Sequence, residues 1–172
     1  FILNILAVSS QLSAVRKKSL YTRELKALKI LVINGPNINF LGIREKSIYG
    51  KTTYNEMCKY LDEEGKKLGL DIDIVQSNIE GELVNYIQGA YGKYDGIIIN
   101  PAAYTHYSVA ILDALKAVGI PAVEVHISNV HAREEFRKIS VTAPACIGQV
   151  AGFGIYGYIM AMKGLINRNS GV

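Results

Sequence analysis

The 172-residue sequence has only two cysteines, Cys58 and Cys146, and no apolar run near the ~20 residues of a membrane span. Two cysteines so far apart in sequence are typical of reduced thiols in a cytoplasmic protein. The sequence also lacks internal repeats and low-complexity segments. It is too short for a complete (β/α)8 barrel, which takes about 250 residues. We therefore expect one cytoplasmic domain with its own core and no membrane partner.

Acidic residues are nearly absent from residues 1–29. This stretch holds six basic residues and one acid, so its net charge is +5. The whole chain has a net charge of +4, which leaves −1 for residues 30–172. The basic balance therefore gives no support for nucleic-acid binding by the folded body. The apolar residues precede the basic ones, the reverse of a secretory signal. We expect 1–29 to be a disordered or marginally helical extension, with a transit peptide as the alternative.

From residue 30 onward, short apolar runs alternate with helical patterns. Fully apolar runs are typical of central parallel strands. The predicted strands are 30–33, 71–75, 96–100, 120–125 and 145–150. The predicted helices are 53–69, 82–91, 108–118, 132–137 and 154–167. This alternation predicts an α/β fold with a doubly wound, five-stranded parallel sheet in the flavodoxin-like order 2-1-3-4-5.

Polar turn residues follow three of the predicted strands, at 34–37, 100–104 and 124–128. In the order 2-1-3-4-5 these strands are neighbours at the centre of the sheet. Ligands of such sheets bind at the carboxyl ends of the strands, near the point where the strand order reverses. The sequence therefore predicts a binding site where these three strand ends meet.

The fourth strand carries a carboxylate and an imidazole two residues apart, Glu124 and His126. Alternation along a strand puts both on one side, so the acid can orient the ring. A Glu-x-His pair is more often a surface pair, but here it lies at the end of an apolar strand. Glu124, His126 and His131 could also bind a metal; we disfavour this because no second ligand cluster is present.

The residues after this strand favour an anion. Ser128 and Asn129 can cap a helix at 132–137, whose N-terminus attracts negative charge. Arg133 and Arg137 would share one face of that helix. Two arginines on a helix are often only a solvated face. With the neighbouring Glu-x-His pair, they indicate a site for a small anionic substrate.

Other candidate residues lie in the remaining loops. The amide of Asn37 could hold a substrate oxygen or a water, although turn asparagines are common. A glycine-flanked loop carries Arg44 and Tyr49 and could close as a lid, with the arginine lowering the phenol's pKa. A tyrosine in a loop more often only packs against its neighbours. Asn100 and His106 lie on either side of the turn after the third strand and could equally be turn and cap residues. The glycine spacing fits neither a dinucleotide fingerprint nor a P-loop.

Five segments, in order and spacing, resemble type II 3-dehydroquinate dehydratases: 34–39, 41–50, 100–106, 124–137 and 152–158. The resemblance covers residues 30–168, which we take as a dehydroquinate dehydratase domain. It implies reversible anti elimination of water from 3-dehydroquinate to 3-dehydroshikimate, in the shikimate pathway. The reaction would pass through an enolate without metal, cofactor or Schiff base. The chain departs from the pattern of this family in two places: it has the 29-residue extension, and Lys138 stands where a histidine is common.

The resemblance also implies a role for each site residue. Tyr49 would be the base, held as phenolate by Arg44, and Asn37 would position the water at the enolate oxygen. His126, oriented by Glu124, would be the acid. The residues implied for substrate binding are Asn100, Ile127 and Ser128 for the carboxylate, His106 and Arg137 for the ring hydroxyls, Arg133 in the lid region, and Asp113 from a neighbouring subunit. Such enzymes are homo-oligomers, dodecamers built from trimers. The alternative is a non-catalytic flavodoxin-like domain that binds a small anion.

Overall fold

The sheet has the predicted topology. The computed structural model describes residues 27–43 and 52–170. Five parallel strands pair in the order β2-β1-β3-β4-β5, which confirms the predicted fold class. The strands are β1 (Leu28–Asn34), β2 (Leu70–Gln76), β3 (Gly96–Asn100), β4 (Ala122–His126) and β5 (Gly148–Ala151).

Helices cover both faces of this sheet. They are α1 (Tyr54–Lys67), α2 (Glu80–Gly89), α3 (Val109–Val118) and α4 (Tyr156–Asn169). Short 3₁₀ helices lie at Ile38–Phe40, Ala102–His106, Val130–Ala132, Glu135–Lys138 and Ala143–Ala145. Within the two described ranges, no helix is both long and apolar enough to cross a membrane.

Alternation along the strands divides the core into two layers. On one face Val32, Ile98 and Val125 pack with residues of α1 and α4, such as Met57 and Met162. On the opposite face, the alternate residues of the same strands pack against α2 and α3. Both faces are buried, which explains why the central strands are continuous apolar runs.

Several predicted element boundaries are corrected by one to three residues. Strand β1 begins at Leu28, inside the stretch expected to be an extension, because Leu28 and Lys29 pair with β2. The predicted strand 145–150 is shorter: Ala143–Ala145 forms a 3₁₀ turn, and β5 begins only at Gly148. The capping box at the start of α1 is confirmed, since the Thr53 side chain accepts from the Glu56 backbone and the Glu56 carboxylate accepts from the Thr53 N–H.

The prediction of a helix at 132–137 is wrong. Two 3₁₀ helices, Val130–Ala132 and Glu135–Lys138, occupy this region instead. Arg133 is extended (φ −110°, ψ −164°) and separates them, so Arg133 and Arg137 do not share a helix face. The physical reason is tertiary context, which overrides local preference: both arginine side chains reach the carboxyl ends of the strands, and Glu134 pairs with each of them there.

The chain comes close to itself where β1 and β3 end. Gly35 N–H donates to the carbonyl of Asn100 at 2.8 Å. A Cβ at Gly35 would lie 2.6 Å from the carbonyl oxygen of Pro101, well inside van der Waals contact. Only glycine therefore lets these two strand ends approach as they do, and their approach forms one wall of the site described next.

Candidate functional site

A cavity of about 170 Å³ lies at the carboxyl ends of β1, β3 and β4. This is where the predicted strand order places a ligand site. Eight of the residues proposed from the sequence line it: Asn37, Asn100, His106, His126, Ile127, Ser128, Arg133 and Arg137. The remaining lining is largely apolar: Pro36, Ile38, Leu41, Ala102, Ala103 and Val130. The fold thus gathers residues from three strand ends around one small cavity.

His126 and Glu124 form a hydrogen-bonded pair at the wall of this cavity. Nε2 of His126 lies 2.7 Å from Oε1 of Glu124, which confirms that alternation puts both on one side of β4. His126 lines the cavity, whereas Glu124 is fully buried behind it. An ionised carboxylate only accepts, so Nε2–H donates to it. This arrangement leaves Nδ1 of His126 as the nitrogen free to exchange a proton with a ligand.

Glu124 is ionised despite its burial. Burial alone would raise the pKa of the carboxyl group, but hydrogen bonds from His126, Thr142 and Gln149, with the charge of His126, lower it to about 2. Thr105 and Ser140 donate to Oε1 as well, each at 2.9 Å. The carboxylate is therefore a fixed negative charge that can hold a protonated imidazole.

The loop of Asn37 is held in an unusual conformation. Asn37 has a positive φ of 66°, a region that asparagine visits more readily than most residues. Its backbone N–H donates to Oδ1 of Asn78 at 2.9 Å, and Gln76 donates to the same oxygen at 3.1 Å. Ala102, also on the cavity wall, has a φ of 52°. Such strained backbone clusters at functional sites, where surrounding contacts maintain it.

Asn100 is fixed from behind by a tyrosine. Its Nδ2 donates to the hydroxyl of Tyr158 at 2.9 Å, and that hydroxyl donates to Oδ1 of Asn34 at 2.7 Å. Its Oδ1 accepts from the N–H of Ala102 at 3.2 Å. Tyr158 is fully buried, and burial raises the pKa of its phenol, so it remains a neutral donor. The amide of Asn100 can therefore offer its second N–H proton to a ligand in the cavity.

Two half-buried arginines form the cationic side of the cavity. Nε of Arg137 lies 2.9 Å from a carboxylate oxygen of Glu134, and Nε of Arg133 lies 3.5 Å from the same oxygen. The guanidinium of Arg137 also lies over the ring of Phe136, 5.0 Å from its centroid. These contacts fix the orientation of both arginine side chains, so the two cations lie on the cavity wall although the predicted helix is absent.

His106 also lines the cavity. Its Nδ1 lies 2.8 Å from the carbonyl oxygen of Ile139, which can only accept, so Nδ1 carries the proton. In the neutral ring, Nε2 is then an acceptor for a ligand hydroxyl. The ring also meets Phe136 edge-on, with centroids 6.1 Å apart.

Two predicted residues that the structure describes, Glu124 and Asp113, do not line this cavity. Arg44 and Tyr49 lie outside the described residues. Asp113 is exposed on α3 and is not part of the wall. Among residues 27–43 and 52–170, no group of three or more histidine, cysteine, aspartate or glutamate side chains could hold a metal ion.

The residues that support this site were not predicted from the sequence. Thr105, Ser140, Thr142 and Gln149 surround Glu124, and Asn78 and Glu134 hold the Asn37 loop and the arginines. Tyr158 belonged to a segment noted only for its resemblance. Ser, Thr, Asn and Gln are common in loops, so these residues carried no local signal. The signal that points to them is indirect: a buried carboxylate requires hydrogen-bond donors from other parts of the chain.

Known proteins resemble this chain over most of its length. The family model "Dehydroquinase class II" matches residues 28–166. A 3-dehydroquinate dehydratase from Clostridium acetobutylicum is 65% identical over 143 residues, covering 83% of this chain and 99% of that protein. One from Fusobacterium nucleatum is 61% identical over 142 residues, covering 81% and 97%.

The fold also matches solved structures. The crystal structure of a type II dehydroquinase from Butyrivibrio crossotus superposes with a TM-score of 0.80 at 56% identity. That match covers 81% of this chain and 98% of the other. A family model spanning most of the chain, relatives above 60% identity and a shared fold lead to one conclusion: the chain belongs to the class II dehydroquinase family.

Proposed function

We propose that this chain catalyses the reversible loss of water from 3-dehydroquinate to give 3-dehydroshikimate, a step of the shikimate pathway. The observation that carries the proposal is the His126–Glu124 pair, whose imidazole lines a cavity that is also lined by two arginines. A protonated imidazole and a cationic wall suit a small hydroxylated carboxylate. Family membership and the names of the relatives support the same reaction.

Substrate binding is assigned to residues around the cavity. The amide of Asn100, the backbone at Ile127 and Ser128 would hold the carboxylate, because they lie together at the ends of β3 and β4. His106 and Arg137 would hold the ring hydroxyls. The acceptor nitrogen of His106 and the donors of Arg137 complement hydroxyl groups, which both donate and accept.

The first chemical step removes a proton from C2, next to the ketone. Tyr49, as phenolate, is the proposed base, and Arg44 favours that ionisation by its charge. The electron pair of the broken C–H bond moves toward the carbonyl and forms an enolate. Asn37 would position the water that stabilises the enolate oxygen, for which its rigid loop is suited.

The second step expels the hydroxyl group. The enolate re-forms the carbonyl, the carbon–oxygen bond breaks, and His126 donates its Nδ1 proton so that the group leaves as water. Glu124 keeps Nε2 protonated and stabilises the imidazolium before transfer. Anti elimination requires the base and the acid to act from opposite sides of the substrate, so Tyr49 and His126 would flank it.

The proposal extends to assembly and location. We place Asp113 at the site of a neighbouring subunit, because it is exposed and does not line the cavity of its own chain. Exposed apolar side chains such as Phe153, Ile139 and Ile147 offer surface for such contacts. The proposed assembly is a dodecamer built from trimers, and Arg133 would belong to the lid region. A cytoplasmic location suits the free thiols Cys58 and Cys146.

The test is the appearance of the enone absorbance of 3-dehydroshikimate when 3-dehydroquinate is added to the purified chain. Tyr49→Phe and His126→Asn should each lower kcat by at least about 10²-fold. Tyr91→Phe, at an exposed position beyond α2, is the matched control. It should match the unsubstituted protein.

Two results would contradict the proposal. Saturable binding of dehydroquinate without any enone would indicate a non-catalytic domain that binds a small anion. A Tyr49→Phe variant that keeps more than about a tenth of the kcat would remove the role of base from Tyr49.

A further inference from the structure

Glu124 is surrounded by hydrogen-bond donors from three other segments. Besides His126, four side chains contact its carboxylate: Thr105 after β3, Ser140 and Thr142 in the loop before β5, and Gln149 on β5. We call these four residues the donor cluster. Gln149 donates from Nε2 to Oε1 at 2.7 Å, the same distance at which Oε1 meets His126.

The hydroxyl groups of the donor cluster are also close to one another. Oγ1 of Thr105 lies 2.8 Å from Oγ of Ser140 and 2.9 Å from Oγ1 of Thr142. Each hydroxyl has one proton, so the three protons are shared among these contacts and the carboxylate. The amide nitrogen of Gln149 can only donate, and Nε2 of His126 donates in the tautomer that an ionised carboxylate selects. The surroundings of Glu124 are therefore complementary to an ionised carboxylate.

The two carboxylate oxygens have different partners. Oε1 accepts from His126 and Gln149 as well as from Thr105 and Ser140, whereas the bond described at Oε2 comes from Thr142. Thr142 thus anchors one oxygen and Gln149 the other. Together they fix the rotation of the carboxylate plane and with it the position of the acceptor that meets His126.

Resting on the acid role proposed for His126, we propose that Thr142 and Gln149 are positioning residues for catalysis. They keep Glu124 ionised and oriented so that it accepts the Nε2–H of His126. The ring is then locked in the orientation and tautomer that present Nδ1 to the leaving hydroxyl. Neither residue lines the cavity, so both act through Glu124 and His126 rather than on the substrate.

The charges around Glu124 are compatible with this role. Burial alone would raise the pKa of Glu124, and the donors reverse that effect. Cys146, which faces the carboxylate from the end of the Ala143–Ala145 turn, has its pKa raised to about 12 by burial and by Glu124, so it stays neutral. On the cavity side the ionisable residues that the structure describes, beyond His126, are His106, Arg133 and Arg137. These are unchanged in every variant below.

The experiment uses the full chain and two pairs of variants. Thr142→Val removes the hydroxyl at constant shape, and Thr142→Ser restores it. Gln149→Met removes the amide at similar length on an exposed strand edge, and Gln88→Met makes the same change at an exposed position on α2. We measure kcat, KM and the pH profile of kcat. The ¹⁵N spectrum of histidine-labelled protein reports the protonated ring nitrogen of His126.

Thr142→Val and Gln149→Met should each lower kcat about tenfold while KM stays within about twofold. Loss of a donor raises the pKa of Glu124, so the acid limb of the kcat profile should move to higher pH. The Nε2–H signal of His126 should weaken as the other tautomer becomes populated. Thr142→Ser should recover most of the kcat, and Gln88→Met should match the parent protein.

Wild-type kcat, pH profile and ¹⁵N spectrum in both Thr142→Val and Gln149→Met would overturn the inference. Equal losses of kcat in Thr142→Val and Thr142→Ser, together with lower melting temperatures, would also overturn the inference, because they would indicate a purely structural role for Thr142. His126→Asn separates this inference from the acid assignment. If that variant keeps its kcat, the acid assignment fails; if it loses kcat while the two cluster variants do not, only the inference fails.

Discussion

Glu124→Gln removes one buried negative charge and keeps the shape of the side chain. In the parent protein Oε1 meets the nitrogens of His126 and Gln149, each at 2.7 Å, and Oε2 meets the hydroxyl of Thr142. The new amide oxygen should take the place of Oε1, because the donors there require an acceptor. Its NH₂ group would then donate to Thr142, whose hydroxyl can accept. The variant therefore isolates the charge from the geometry.

The expected effect is on turnover. A carboxylate within about 4–6 Å stabilises a protonated partner by ~1–4 kcal/mol. An amide oxygen retains the hydrogen bond but loses most of this stabilisation. We expect kcat to fall about 10²-fold, which corresponds to ~2.7 kcal/mol in the barrier. KM should stay within about threefold, because Glu124 does not line the cavity.

The assay records initial rates of enone formation over a range of dehydroquinate concentrations. Glu63→Gln, at an exposed position on α1, is the matched control and should have parent kinetics. Thermal melting of each variant reports whether the fold is retained. A Glu124→Gln variant with a kcat within about threefold of the parent, measured beside an inactive His126→Asn variant, would refute the reasoning. The imidazole would then act without help from the charge.

Three further predictions concern folding and binding, and one concerns the reaction. Gly35→Ala should destabilise the protein by ~1–3 kcal/mol in urea titration, because the new Cβ would lie 2.6 Å from the Pro101 carbonyl oxygen; an unchanged midpoint would mean that the strand ends move freely. Tyr158→Phe should raise KM about tenfold with a smaller change in kcat, since Asn100 loses the hydroxyl that orients it; unchanged KM in steady-state kinetics would contradict this role. The pKa of Glu124 is lowered from 4.5 to about 2, so ionised Glu124 contributes ~3 kcal/mol to the free energy of unfolding. This contribution is complete above about pH 4.5 and is lost as the pH falls toward 2. In denaturant titrations, Glu124→Gln should lack this part of the pH dependence. Activity should survive a strong chelator and borohydride added with substrate, because no lysine is among the described residues that line the cavity; a substrate-sized mass gain on a lysine would argue for a Schiff base.

The sequence by itself determined the sheet and the central pair of the site. Strands buried on both faces must be apolar, and helices that cover them repeat every 3.6 residues, so alternation of the two patterns predicts the doubly wound order. Strand geometry alone puts Glu124 and His126 on one side, as found. Thr53 and Glu56 likewise marked the start of α1, because a capping box is made within four consecutive residues. These features depend on neighbours in sequence.

Tertiary structure alone decided how that pair is supported. Gln149 and Thr105 reach Glu124 from positions 25 and 19 residues away, and Tyr158 reaches Asn34 across 124 residues. Such contacts exist only after parallel strands bring their carboxyl ends together. The same holds for the region predicted as a helix at 132–137, where placement of Arg133 and Arg137 on the cavity wall overrides local helix preference. Local pattern fixes which elements form, whereas the partners of a buried charge are set by which loops the finished sheet places beside it.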